Sequence, residues 1–206
     1  MLTIIDYKVG NLFSIKNMLE RIGCTDIVIS DRVEDIEAAT KLILPGVGHF
    51  DYGMARLRSA PYFDKLDQKV HEGQVPILGI CLGAQLLLDG SEEGQAAGLG
   101  WIGGRSRKFD ESRLPHGFKI PHMGWGEVTP LRPSRLLENL PEDARYYFVH
   151  TYHMECTNAD HHILSSVYGY PFVAGIEKDN IVGVQFHPEK SHKYGLALLR
   201  NFITNY

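Results

Sequence analysis

The chain has 206 residues and a net charge of −4, with 21 lysines and arginines against 25 acidic residues dispersed along its length. A chain of that size buries a full core without staples, and the mixed charge leaves no footprint for nucleic acid, so a small molecule or another protein is the expected partner. No apolar run approaches a membrane span, no basic stretch precedes the first apolar residues, and the scattered Cys24, Cys81 and Cys156 suit neither a disulfide framework nor a four-ligand zinc site.

These features predict one cytoplasmic domain over residues 1–206 with no metal, no cofactor and no membrane contact. Leu2 to Ile5 reads as a first strand, and a helix with Leu12, Ile15, Met18, Leu19 and Ile22 on one face follows it, with Asn11 as its cap and Gly23 as its stop signal. Ile27 to Ile29 and Leu42 to Leu44 read as strands, the second closed by Pro45-Gly46-Val47-Gly48, and Phe63 to Val70 as a helix. Pro76 to Ile80 is a buried strand that stops at Cys81, and Ala84 to Leu88 is strongly helical. Beyond residue 100 the strand-like stretches shorten: Gly103 to Phe109, Tyr146 to Val149, Ile163 to Val167, Val173 to Ile176 and Ile181 to Phe186, before a helix from Tyr194 to Phe202. The first half therefore predicts βα units and a mostly parallel sheet between helix layers, and the second half an added antiparallel region.

Three features carry chemistry. Gly79-Ile80-Cys81-Leu82-Gly83 has the form of a nucleophile elbow, in which flanking glycines let the chain turn sharply enough to expose the central side chain. The following helix aims its first amides at the sulfur and favours the thiolate. The five residues alone leave open an inert core cysteine. His187 ends an apolar strand, and Glu189 lies one rigid Pro188 further on, within reach of the imidazole, although His-Pro-Glu in isolation also suits a solvated loop. Glycines on both sides of Val47 let the backbone present an amide, which with that of Leu82 would form an oxyanion hole; an ordinary βα turn is the plainer alternative. All three lie at strand ends, where parallel sheets place their sites. The remaining histidines show no paired short spacings of a zinc site.

The residues that carry a family likeness are Ile5-Asp6-Tyr7 with Gly10-Asn11, Leu44 to Gly48, Gly79 to Gln85, Pro121-His122-Met123-Gly124-Trp125, Tyr147 to Tyr152 and Gln185 to Lys190. On them the chain resembles the class I (triad-type) glutamine amidotransferases, of flavodoxin-like fold, and among these the glutaminase subunits of imidazole glycerol phosphate synthases. The resemblance implies Cys81 as nucleophile, His187 as acid and base, and Glu189 as its orienter. It implies Gly48, Gln85, Glu93, Tyr147, Thr151 and Tyr152 as glutamine-binding residues, with Val47 and Leu82 at the oxyanion. Met123, Trp125 and Lys190 would then face a (β/α)8-barrel synthase that receives the ammonia, in a heterodimer. On residues alone, Pro121 to Trp125 reads instead as a packed turn with a core tryptophan.

Lys8 stands where the family usually has Gly, Ala84 where it has Met, and Gly126 where it has Asn. These departures leave open a paralogous role, supplying ammonia to amidinate a sugar nucleotide in surface-polysaccharide synthesis. A silent binding subunit and a hydrolase of γ-glutamyl compounds or peptides are the further alternatives on this fold.

Overall fold

Twelve strands share one sheet in the computed structural model, which describes all 206 residues. In chain order, β1 (Leu2–Ile5), α1 (Leu12–Arg21), β2 (Ile27–Ser30), α2 (Val33–Ala38), β3 (Lys41–Leu44), α3 (Phe50–Arg58), α4 (Phe63–His71), β4 (Ile77–Ile80) and α5 (Leu82–Leu86) form the first half. The second half is largely strand: β5 (Gly90–Ser91), β6 (Gly104–Lys108), β7 (His122–Pro130), β8 (Arg145–His150), β9 (Tyr152–Cys156), β10 (His162–Tyr168), β11 (Tyr170–Lys178) and β12 (Ile181–Val184), closed by α6 (His192–Asn205).

The spatial order is β2-β1-β3-β4-β12-β11-β10-β7-β8. Pairing is parallel from β2 through to β12 and antiparallel from there to β8. The sheet therefore changes character at β12, a strand from the end of the chain inserted beside β4.

Side chains alternate across the parallel strands and feed two cores of nearly equal size, one of 26 buried residues and one of 25. On β4, Leu78 and Ile80 enter the first core and Ile77 the second. Ile15, Met18 and Leu19 from α1 join Leu198, Leu199 and Phe202 from α6 in the first, while Ile36, Phe50, Met54, Leu57, Leu66 and Val70 from α2, α3 and α4 fill the second. The result is the three-layer α/β architecture expected from the pattern of apolar runs.

Several boundaries differ from expectation. Asn11 precedes α1 but makes no side-chain cap bond, and α5 begins at Leu82, directly after the cysteine, rather than at Ala84. Pro121 to Trp125 is not a packed turn with a core tryptophan: it enters β7, and the Trp125 side chain is 45% exposed.

The turn after β3 and the turn after β4 meet backbone to backbone. A Cβ placed on Gly83 would lie 1.9 Å from Leu44 O, and one on Gly46 would lie 2.5 Å from Gly83 N. Neither position has room for a methyl group: the atoms around Gly83 are all main chain, and Gly46 meets the Gly83 amide together with Leu82 Cβ and the Tyr7 hydroxyl, which is itself bonded to Pro45 O. Gly83→Ala is therefore expected to lower stability by about 3 kcal/mol or more. Gly117→Ala, at a site with φ +94° and no atom within 4 Å of the new Cβ, pays backbone strain alone, about 1 kcal/mol. Urea unfolding of the two variants measures the difference, and equal losses would contradict the close-approach account.

Candidate active site

Cys81 leaves the end of β4 with φ 53° and ψ −110°, a conformation that a non-glycine residue adopts at a cost of about 1–3 kcal/mol. It is held there from both sides: its amide donates to Val184 O on β12 at 2.8 Å, and its carbonyl accepts from Ala84 N and Gln85 N at 3.0 and 3.2 Å. Leu82 follows at the first position of α5, where an amide has no intrahelical acceptor. This is the strand, sharp bend and helix predicted from the glycine spacing.

His187 sits three residues past the end of β12. Its amide donates to Tyr147 O at 2.9 Å, and its carbonyl accepts from Ser191 Oγ at 2.7 Å and Lys190 N at 3.0 Å. A short turn, Pro188–Lys190, then runs into α6, and a Cβ on Gly195 would lie 1.9 Å from Pro188 O, so the helix backbone presses directly on that turn. Glu189 Oε1 accepts from His187 Nδ1 at 2.8 Å, with both side chains 1% exposed. A carboxylate at that distance fixes the tautomer, with Nδ1 carrying a proton and Nε2 turned to the cleft.

Burial alone would push the His187 imidazole down, but the charge on the Cys81 sulfur and the Glu189 carboxylate outweigh it, and its pKa is pushed up to about 10. Nε2 nevertheless has no aligned hydrogen-bond partner, and the sulfur lies 4.0 Å from Val149 O. The imidazole and the sulfur thus face one cleft without an aligned hydrogen bond between them, an arrangement that sites without substrate often show.

Both groups open onto one cleft of about 460 Å³. Of the residues expected to hold glutamine or its oxyanion, Val47, Gly48, Leu82, Gln85, Glu93, Thr151 and Tyr152 line it, together with His49, Pro121, Val149 and His150. The Val47 loop is fixed by Tyr7, whose hydroxyl donates to Pro45 O at 2.5 Å. Glu93 Oε2 accepts from Phe50 N at 2.7 Å, so this carboxylate also caps the start of α3.

Tyr147 is the exception. It does not line the cleft; its ring lies 6.2 Å from that of Trp125, edge to face, and Lys190 Nζ stands 5.8 Å above it. His192 stacks on Trp125 at 5.7 Å, and Met123 is 62% exposed. The three residues expected at an interface therefore belong to an outer face, and Tyr147 goes with them. The strand geometry explains the shift: Tyr147 pairs opposite Trp125 in the β7–β8 ladder, which puts both side chains on one face of the sheet.

Beneath the cleft lies a polar network with fixed polarity. Tyr152 O accepts from Gln85 Nε2 at 2.9 Å and from His150 Nδ1 at 2.8 Å. His150 Nε2 in turn lies 3.1 Å from His122 Nδ1. Burial lowers both histidines, His122 to about 4, so they are neutral and His122 is the donor. Gln85 Nε2 also donates to Gln185 Oε1 at 3.0 Å, and Gln185 Nε2 donates to Cys81 Sγ at 3.7 Å. Sequence reasoning passed over Gln185, His49 and His150. The available signals were the place of Gln185 and His150 within the motifs that carry the family likeness, and a glutamine interrupting the apolar run Ile181 to Phe186 without ending it.

The departures from the family pattern have local explanations. Lys8 takes φ 65°, which suits the glycine usual at that position, and its Nζ bonds Asp6 and Asp31 at 2.8 and 2.9 Å. A Cβ on Gly126 would approach Phe148 Cε2 to 3.0 Å, so a larger residue needs that ring to give way. Ala84 is fully buried against Gly183.

The family model for glutamine amidotransferase class-I matches residues 3–206, and the chain belongs to that family of enzymes. Among its relatives, imidazole glycerol phosphate synthase subunit HisH 2 of Methanococcus maripaludis is 49% identical over 98% of each chain. The subunit of the same name in Pseudomonas aeruginosa is 47% identical over 98% of each, and HisH of Bdellovibrio bacteriovorus 43% identical over 98% of each. Among solved structures, a glutamine amidotransferase superposes with a TM-score of 0.74 at 17% identity, covering 98% of this chain and 96% of that one. PurLQS from Thermotoga maritima gives 0.71 at 20% identity, covering 99% and 97%. At these identities the structures share the fold.

The raised imidazole has a measurable signature. Its folded value lies above the ~6.5 of a free histidine, so the stability gained by holding the proton is complete below about pH 6.5 and is lost as pH rises towards 10. The imidazole C–H resonances of His187 are expected to titrate near pH 10, and Glu189→Gln or Cys81→Ala is expected to move that midpoint down. A midpoint near 6.5 in the parent protein would remove the ion-pair description.

Proposed function

We propose that this chain is the glutaminase subunit of an imidazole glycerol phosphate synthase. In that role a single domain hydrolyses glutamine to glutamate and ammonia with Cys81, His187 and Glu189, and hands the ammonia to a (β/α)8-barrel partner in histidine biosynthesis. The observation that carries the reading is the meeting of Cys81 and a carboxylate-held His187 on one cleft of about 460 Å³. The names of the relatives at 43–49% identity support the choice of synthase and weigh against the surface-polysaccharide alternative.

The steps follow from the atoms. The Cys81 sulfur attacks the side-chain amide carbon of glutamine, and the developing oxyanion is met by the backbone amides of Val47 and Leu82. His187 gives its Nε2 proton to the departing nitrogen, leaving ammonia and a glutamyl thioester. Water then attacks the thioester carbon and yields a proton to Nε2, and the C–S bond breaks to release glutamate and restore the thiolate–imidazolium pair. Glu189 stabilises the imidazolium throughout and does not itself take the proton.

Glutamine recognition falls to Gly48, Gln85, Glu93, Thr151 and Tyr152. The Gln85 amide nitrogen is already spent on Tyr152 O and Gln185, so its carbonyl oxygen is the group left to accept from the substrate. Glu93 offers the negative charge for the α-ammonium, with one oxygen shared with the start of α3. Tyr147, Trp125, Lys190 and Met123 form the docking face instead, an exposed aromatic patch with one cation.

Cys81→Ala is expected to abolish glutamate release, and Glu189→Gln to reduce kcat by at least about 100-fold. Mixing the purified chain with a barrel synthase should raise glutaminase turnover and make imidazole glycerol phosphate formation depend on glutamine. No gain on titrating the partner would overturn the choice of synthase while leaving the glutaminase intact. Tyr147→Ala separates the two faces: it is expected to leave the KM for glutamine within about twofold and to weaken the response to the partner, whereas a cleft residue would raise KM.

A further inference from the structure

Gln185 is fully buried at the first residue past β12, on the side of Cys81 away from solvent. A buried amide must place both its ends, and this one is oriented by a hydrogen-bond chain that starts at Tyr152 O. Tyr152 O can only accept, so the Gln85 atom that meets it at 2.9 Å is the nitrogen. That same nitrogen meets Gln185 at 3.0 Å, so the Gln185 atom facing it is the acceptor, Oε1. The other end, Nε2, is thereby turned to the cysteine, 3.7 Å from Sγ.

We propose that Gln185 is a positioning residue for the nucleophile, donating an N–H to the Cys81 sulfur from beneath the cleft through an amide chain anchored at Tyr152 O. The inference rests on Cys81 being the nucleophile and adds a donor that the triad does not include. The amide has two consequences for the sulfur. It favours the thiolate, since an N–H donor stabilises negative charge and offers nothing to a thiol proton. It also holds the sulfur on the buried side of the bend between turnovers, when the imidazole Nε2 has no aligned partner. Because the chain passes through Gln85 and Tyr152, both of which line the cleft, substrate that contacts either residue touches the support of the sulfur as well.

The test reads the thiol rather than turnover, so its failure is distinguishable from failure of the glutaminase reading. Gln185→Met keeps an unbranched chain of similar volume and removes the donor. Alkylation of Cys81 by iodoacetamide, followed by mass spectrometry of the Cys81 peptide, is expected to slow about tenfold at pH 7 and to require higher pH for full rate. The titratable groups that face the cysteine or its cleft, namely Tyr7 just past β1, His49, Glu93, His150, Tyr152 and His187, are untouched by the substitution. Gln85→Met should act in the same direction and more weakly, because it frees the far end of the chain. Alkylation unchanged in a folded Gln185→Met variant would overturn the proposal. In the parent protein, the side-chain amide protons of Gln185, followed with 15N-glutamine labelling, are expected to move when Cys81 is alkylated. Resonances that stay in place on alkylation would also overturn it, whether or not either variant folds.

Discussion

One backbone ladder underlies the site. β4 and β12 run parallel in register, with Val184 opposite Ile80, and the ladder ends with the Cys81 amide bonded to Val184 O at 2.8 Å. That bond belongs to the sheet and to the elbow together. It sets the height at which the chain bends, and it fixes the strand from which His187 departs three residues later. Because the two groups leave neighbouring strands at the same end of the sheet, their separation follows from strand spacing and register and needs no long loop to arrange it. A slip of one residue in this ladder would turn the sulfur to the other face.

The polar groups around that ladder are costly to bury, and the way each is compensated explains the chemistry. Glu189 and His187 are both 1% exposed. An isolated charge there would neutralise itself, yet interaction with the Cys81 sulfur and the Glu189 carboxylate raises the pKa of the imidazole. Neighbouring His150 and His122 take the opposite course: burial without a carboxylate leaves them neutral, and they serve as hydrogen-bond relays into Tyr152 O. Buried histidines around one site thus differ in charge according to whether an acid stands behind them. Strain at Cys81 is offset in the same local way, by the Val184 bond on one side and the start of α5 on the other.

Much of this was legible in the residues. The apolar β-branched runs of β1, β3 and β4 and the glycines around Cys81 signal their conformations through local sterics, so strand, elbow and helix could be read directly. β7 could not be: His122–Pro130 carries two glycines and shows a face open to solvent, so its pairing is decided by β8 and β10 and leaves little local signature. α3 was missed because its buried stripe, Phe50, Gly53, Met54 and Leu57, includes a glycine and follows a glycine-rich turn. Tyr147 illustrates the limit of reading a motif as a unit. The Tyr147 to Tyr152 stretch runs along β8 and into β9, and only its later members, from Val149 onward, reach the cleft, whereas Tyr147 lies farther back along β8 opposite Trp125. Gln185 was hidden for a similar reason, since nothing along the chain shows which side chain lies under a bend made 104 residues earlier.

The placement of β12 has a temporal side. A chain emerging from the ribosome completes β1 to β4 and the elbow well before residue 181 is translated, and domains form as synthesis proceeds. In that interval the cysteine bend lacks its ladder partner, its imidazole and the amide beneath it, all of which arrive with Ile181–Val184 and the few residues that follow. The nascent polypeptide therefore has none of these three groups beside its sulfur until that segment docks. On the proposed reading, the thiol stays idle towards glutamine until the fold that governs it has closed.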